Sequence, residues 1–230
     1  MAPAASSAAD PLSLAAVAAA AAPHGLAVLG AFHPGDGDGT PEGTGTLVLL
    51  GPDGPGFWDV FTASPEYGDG AGHPMDRWST RVIDGLAAQL GAQALYPFGG
   101  PPWVPFIAWA RASRHAFASR VGILVHDRAG LMVSYRGALA LPGRLALPPP
   151  GLSPCPGCAS APCRTACPAA ALTETGYDVP ACRAWLDRPE GQDCRTQGCR
   201  VRRSCPVGSD RQPQEQSAFH AAAFRGRQGA

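Results

Sequence analysis

Lysine is absent from this chain: all eighteen basic residues are arginine, and they balance eighteen acidic ones. A net charge of zero gives no ground for nucleic acid or an anionic membrane as the main partner. The missing lysine accompanies abundant alanine, glycine and proline, the coding bias of GC-rich DNA, so neither that absence nor the alanine runs are read as functional. No apolar run reaches bilayer length; the nearest, Leu12 to Ala22, is too short and too weakly apolar. It also lacks a positively charged leading region and follows Asp10, which argues against a secretion signal and for a cytoplasmic protein. Glycines that cradle phosphate are missing, because the loop Gly35 to Gly39, GDGDG, is acidic and repels phosphate. No internal repeat is present beyond a loose doubling of the cysteines. Cysteine itself is absent until Cys155, and then all eight fall between Cys155 and Cys205.

That crowding carries the chemistry. In a cytosolic chain, thiols stay reduced or bind metal rather than pair as disulfides. The first set reads C-x2-C-x4-C-x3-C-P over Cys155, Cys158, Cys163 and Cys167, close to the C-x2-C-x2-C-x3-C-P run that wraps an iron-sulfur cubane. The second set, Cys182, Cys194, Cys199 and Cys205, is looser but also ends in Cys-Pro, and it completes the eight sulfurs that two 4Fe-4S clusters need. Two-cluster proteins cross their ligands, which pairs Cys155, Cys158, Cys163 and Cys205 on one cluster and Cys182, Cys194, Cys199 and Cys167 on the other. Proline after the last ligand turns the chain away and starts a helix, expected at PAAAL (Pro168 to Leu172). Two four-thiolate zinc sites are the alternative, since C-x2-C also serves zinc; only the first pair has that spacing. Disulfides are a third reading. Arg164, Arg195, Arg200, Arg202 and Arg203 lie where positive charge raises a cluster's potential or docks an acidic redox partner; solvated surface arginines are the plainer reading.

The chain divides by composition into residues 1–146, an α/β (α+β) layer domain; 147–154, a proline-rich linker; 155–208, the cysteine unit; and 209–230, a polar tail without assigned chemistry. Asp10 as N-cap and Pro11 at the first helical position open a helix that Pro23-His24-Gly25 ends. LAVLGAF (Leu26 to Phe32) and TGTLVLL (Thr44 to Leu50) read as strands. Trp78, Val82, Leu86 and Leu90 mark one face of a helix capped by Gly91. ALYPF is a short strand, PFIAWARAS a helix, and VGILVHD and GLMVSYRG two strands of a hairpin.

Outside the cysteines the signals are weaker. His126 and Asp127 sit at a strand end suited to a catalytic acid, although a turn there also favours Asp. His33, His73 and His115 have no ligand spacing. Gly99-Gly100-Pro101-Pro102-Trp103 has the composition of a pocket rim, with Tyr96 and Trp109 nearby, but aromatics at such spacing more often form core.

The cysteine unit resembles that of epoxyqueuosine reductases and the related corrinoid-dependent reductive dehalogenases. The matching words are CPGC..PCRTACPAAAL, YDVPACRAWL and GC....SCP, with VGILVHDRAGLMVSYRGALALPGRL upstream similar to the strands that lead into that unit. The resemblance implies a nitroreductase-like or cobalamin-processing-like N-terminal layer followed by a ferredoxin-like two-cluster unit, and assigns the isolated Cys182 to the second cluster. It also implies redox partner proteins and raises a corrinoid as a further cofactor, though no corrinoid-binding motif occurs between His33 and Phe106. The expected function is electron transfer; reduction at a corrinoid, and a zinc-stapled interaction protein, are the alternatives.

Overall fold

A computed structural model describes residues 12–174 and 176–226. The expected caps Asp10 and Pro11 lie outside them. Helix α1 (Leu14–Ala21) takes Ser13 as its N-cap, whose hydroxyl accepts the Ala16 N–H at 3.2 Å. A single 3-10 turn, Ala22–His24, then ends at left-handed Gly25, as the Pro-His-Gly signal predicts.

Strands β1 (Leu26–Phe32) and β2 (Thr46–Pro52) follow, then helices α2 (Gly56–Thr62), α3 (Pro65–Gly68) and α4 (Pro74–Leu90). Strand β3 (Gln93–Leu95) precedes helix α5 (Phe106–Ala112), the short strands β4 (Ala116–Ala118) and β5 (Leu124–His126), and β6 (Gly137–Leu141). The sheet has the order β1-β2-β6-β3, and every pairing in it is antiparallel. Strand alternation sorts its side chains between two cores. Val48, Leu50, Leu139 and Leu141 face α1, α2 and α4, whose Val17, Phe57, Phe61, Trp78 and Ile83 fill that side. Leu47, Leu49, Ala138 and Ala140 face α5, which supplies Phe106 and Trp109. The result is a mixed α/β layer with helices on both faces of the sheet. Strand β1 bulges between Val28 and Gly30. Only glycine fits at Gly30: φ is 154°, and an added Cβ would lie 2.4 Å from the Ser113 hydroxyl oxygen.

Two local expectations are corrected. VGILVHD and GLMVSYRG do not form a hairpin with each other. Strand β5 pairs back with β4, the turn after it closes on a single His126–Gly130 bridge, and Leu131 to Ser134 forms no strand. The apolar side chains that made this stretch look like a strand are spent on burial: Leu131 enters the core beside the cysteines and Val133 packs under Leu29. PAAAL forms no helix either. Ala170 is left-handed at φ 49°, its N–H bonds the Cys167 carbonyl, and the chain passes into β7 (Leu172–Thr173), paired with β8 (Gly176–Tyr177).

The cysteine segment continues with α6 (Val179–Asp187), α7 (Gln192–Gln197) and α8 (Arg200–Arg203). The polar tail is in fact organised: α9 (Gln214–Gly226) packs along α7 and inserts Phe219 among Trp58, Phe61 and Tyr67 of the N-terminal layer. Arg211 and Gln212, just before it, donate to the carbonyls of Pro52 and Met132.

Candidate metal centres

The eight thiols fall into two groups of four, each around its own cavity. One cavity, about 30 Å³, is walled by Cys155, Cys158, Cys163 and Cys205 with Val125, Leu131 and Val207. The other, about 390 Å³, is walled by Cys167, Cys182, Cys194 and Cys199, and extends to Trp185, Phe224 and His220. These are the two sets that crossed ligation predicts, with Cys205 brought back to the first three cysteines and Cys167 delivered to the later three.

Local structure explains the delivery. Cys155 and Cys158 flank a turn in which the Cys158 N–H bonds the Cys155 carbonyl, and Cys163 sits in a 3-10 turn, Pro162–Arg164. Arg120 of the N-terminal layer donates to the Cys155 carbonyl at 2.5 Å and holds the start of this loop. Cys182 lies in the first turn of α6, which Asp178 caps by accepting the Ala181 N–H at 2.9 Å. Cys194 is in α7, and Cys199 is the N-cap position of α8. Gly130 allows Cys205 to dock: at φ 54°, an added Cβ there would sit 1.8 Å from the Val207 carbonyl and 3.1 Å from the Cys205 sulfur. Fully buried Val201 joins Cys163 and Cys205 in one apolar core that also touches Cys167 and Cys199, so a greasy wall lies between the two groups.

The electrostatics of the thiols follow the same partition. Burial pushes the Cys163 thiol up, and its neighbours Cys155, Cys205 and Cys158 push it further. Burial also raises Cys182; a hydrogen bond from Tyr177 partly offsets this, and Cys199, Cys167 and Cys194 add to the rise. Cys194 is raised chiefly by burial, against a backbone N–H from Arg200. Four thiolates so placed repel one another, and a cationic iron core relieves that repulsion. Donors to sulfur are present as such a core needs: the Ala171 N–H reaches the Cys167 sulfur at 3.3 Å, Tyr177 serves Cys182 and Arg200 serves Cys194. All eight cysteines are free of disulfides. Among the described residues, no three His, Cys, Asp or Glu side chains converge as closely as one metal ion requires.

The arginines are mostly committed within the chain. Arg200 and Arg203 both bind Asp193, at 2.5 Å each, Arg164 binds Glu174 at 2.7 Å, and Arg195 caps the carbonyls of Leu186 and Arg188. Arg202 lines the larger cavity.

Three of the remaining candidates meet at the turn after β5, where Asp127 lies 2.6 Å from His115 Nδ1 and 2.9 Å from His126 Nδ1 and the two imidazoles stack with centroids 6.2 Å apart; the others lie apart from them. Asp127 stands in the turn after β5 and grips His115 Nδ1 at 2.6 Å. His126 is fully buried, donates from Nε2 to the Leu29 carbonyl at 2.8 Å and accepts the Arg128 and Ala129 N–H groups at Nδ1; burial holds its pKa below the usual value. His33 bonds the Leu145 carbonyl and His73 precedes α4. Trp109 is core, Tyr96 bonds Asp84 at 2.6 Å and Trp103 is exposed, so the three aromatics frame no common pocket. Sequence reasoning missed Trp185, Tyr177 and Phe224 as parts of the larger cavity. Trp185 was findable from its place three residues after Cys182 on a helix; Phe224 had no such signal.

Among the described residues, no helix is long and apolar enough to cross a membrane. Comparison with known proteins finds no matching family model, no matching curated protein and no matching solved structure.

Proposed function

We propose that this chain is an electron-transfer protein that carries two 4Fe-4S clusters and serves redox partner proteins in the cytoplasm. Cys155, Cys158, Cys163 and Cys205 would hold one, and Cys167, Cys182, Cys194 and Cys199 the other. The observation that carries the reading is the partition of eight thiols, distant in sequence, into two cavities along the crossed pattern. When bound, such clusters supply reversible one-electron chemistry. The protein's own part is to bind the irons through thiolates, to donate N–H and O–H groups to sulfur, and to keep water out with Leu131, Val201 and Leu172. In this reading residues 155–208 are a ferredoxin-like unit, and the N-terminal layer is a nitroreductase-like or cobalamin-processing-like support. That layer contributes Arg120, Val125 and Leu131 to one cavity and Ile123 and Met132 to the other.

The test is anaerobic purification with iron, acid-labile sulfide, zinc and corrinoid measured on one sample, and a visible spectrum before and after dithionite. About eight irons and eight sulfides per chain, with a broad band that bleaches on reduction, are expected. About two zincs, no sulfide and a colourless protein would overturn the proposal. Stoichiometric corrinoid on top of the clusters would turn a carrier into a reductase.

A further inference from the structure

Asp127, His115 and His126 form a cluster of titratable groups that the thiol chemistry does not use. His126 is fully buried on β5, and its two ring nitrogens face opposite kinds of partner. Nε2 lies 2.8 Å from the Leu29 carbonyl, while Nδ1 meets the backbone N–H groups of Arg128 and Ala129 at 3.1 and 3.2 Å. A carbonyl can only accept and a backbone N–H can only donate, so the neutral ring carries its proton on Nε2 and presents a lone pair at Nδ1. The Asp127 carboxylate oxygen Oδ1 lies 2.9 Å from that same Nδ1. Two acceptors therefore face each other, and Oδ1 is buried with no hydrogen-bond donor. Oδ2 is already taken by His115 Nδ1 at 2.6 Å.

One added proton reverses this balance. A protonated Nδ1 donates to Oδ1 and satisfies it, but it can no longer accept the Arg128 and Ala129 N–H groups, whose hydrogens point at the new one. Those two bonds close the turn after β5, and the turn carries a seam with the cysteine unit: Gly208 lies against Ala129, and Gly130 lies against the Val207 carbonyl and the Cys205 sulfur. We propose that His126 is a proton-operated latch, which holds residues 127–130 against the Cys205 end of the chain when neutral and lets that seat loosen when protonated. No metal enters the argument, so it stands apart from the two-cluster reading.

The other groups in reach of the cluster are few. The Arg128 guanidinium is exposed and lies 4.0 Å from Oδ1, His115 stacks on His126, and burial and the Asp127 charge keep the Tyr135 hydroxyl protonated. The linker crosses Asp127 at Gly151, where an added Cβ would lie 1.9 Å from Oδ2, and residues 147–154 bring no charge. Burial opposes protonation of His126 and outweighs the Leu29 carbonyl and Asp127, which favour it; Arg128 and His115 add to the opposition. A histidine lowered on folding contributes stability that is fully present above its unfolded value and is lost as pH falls below it.

The experiment is hydrogen exchange of the full chain as purified, between about pH 6.5 and pH 5, each rate divided by that of an unstructured peptide at the same pH. Protection of the Arg128 and Ala129 amides should fall by up to about tenfold per pH unit, the limit for one proton, and the segment around Val207 and Gly208 should follow while β2 stays protected. Unchanged protection, or an equal loss in β2, would overturn the latch. His126→Asn keeps an acceptor for the two N–H groups but cannot be protonated, so its profile should be flat; a slope like that of the unsubstituted protein would assign the effect to another group. Should that variant fail to fold, nuclear magnetic resonance of the unsubstituted protein with 15N-labelled histidine decides. A proton arriving at His126 Nδ1 in step with the exchange supports the latch, and exchange that rises while Nδ1 stays bare overturns it.

Discussion

At the scale of single residues, one ion pair of the N-terminal layer carries a contribution to stability that acid removes. Glu66 is buried beside α4 and meets Arg81 through two bonds, Nε–Oε1 at 2.5 Å and Nη2–Oε2 at 2.9 Å. The Arg81 guanidinium holds the carboxyl down from 4.5 to about 2, against a smaller opposing effect of burial. A carboxyl lowered on folding contributes stability that is fully present above its unfolded value and is lost as pH falls through the folded one. The melting temperature should therefore drop between about pH 4.5 and pH 2, and Glu66→Gln should flatten that part of the curve while lowering the melting temperature at pH 7. A pH series of thermal melts on the two proteins checks it; parallel curves would exclude this pair as the cause.

At the scale of elements, α9 changes the meaning of the C-terminal segment. Phe224 stacks on Tyr177 with ring centroids 6.2 Å apart, the Arg183 guanidinium lies 5.1 Å from the Phe224 ring centre, and Arg225 binds Asp187 at 2.7 Å. The helix is thus a wall of the larger cavity, fastened to α6 at one end and through Phe219 to the N-terminal layer. In the two-cluster reading, Phe224→Ala should leave folding intact and quicken the loss of one cluster in air, by about tenfold, the low end of what lost outer-shell contacts cost a metal site. Bleaching in air should split into a fast and a slow half; a single unchanged phase would show that the ring does not shield the site.

The same helix shows what the sequence did and did not make legible. Its apolar residues, four alanines and two phenylalanines, form one short patch in an otherwise polar tail, too little to mark it as packed; the aromatic cluster that Phe219 joins is assembled from residues far away in sequence. The α4 helix and strands β1 and β2 were readable because their periodicity is imposed by burial on each element separately. PAAAL and GLMVSYRG misled for the opposite reason: alanine propensity and apolar character were real, but contacts with Cys167 and with the cysteine core overrode them. Spacing and the Cys-Pro ends alone group the first four and the last four cysteines; the observed grouping, with Cys167 and Cys205 exchanged, matches the crossed pattern taken from two-cluster ferredoxins. Of their aromatic neighbours, Trp185 was legible from its place three residues after Cys182, whereas Tyr177 on β8 and Phe224 on α9 gain meaning only once the fold brings them to the cavity.

At the scale of the whole molecule, the cysteine unit is built into the N-terminal layer rather than hung from it. Gly151 in the linker bonds the Arg114 carbonyl, Gly208 lies against Ala129, and Gly130 lies against Val207 and Cys205. Gly130→Ala combines a left-handed backbone, by itself a strain of about 1–3 kcal/mol, with a side chain driven into the Val207 carbonyl. It should lower the melting temperature and, in the two-cluster reading, remove iron from the smaller cavity first. Equal loss from both centres, or none, would show that the two units meet less tightly than this contact requires.

The return of Cys205 to the cavity of Cys155, Cys158 and Cys163 also fixes an order of synthesis. A ribosome makes the first three thiols of the smaller cavity early, yet their fourth partner is the last cysteine of the chain, and the full set of the larger cavity is finished before it, at Cys199. The centre whose ligands begin first is therefore completed last. In the two-cluster reading, neither would be filled while the nascent chain ends at Cys167, so delivery of the metal would wait for a nearly finished polypeptide.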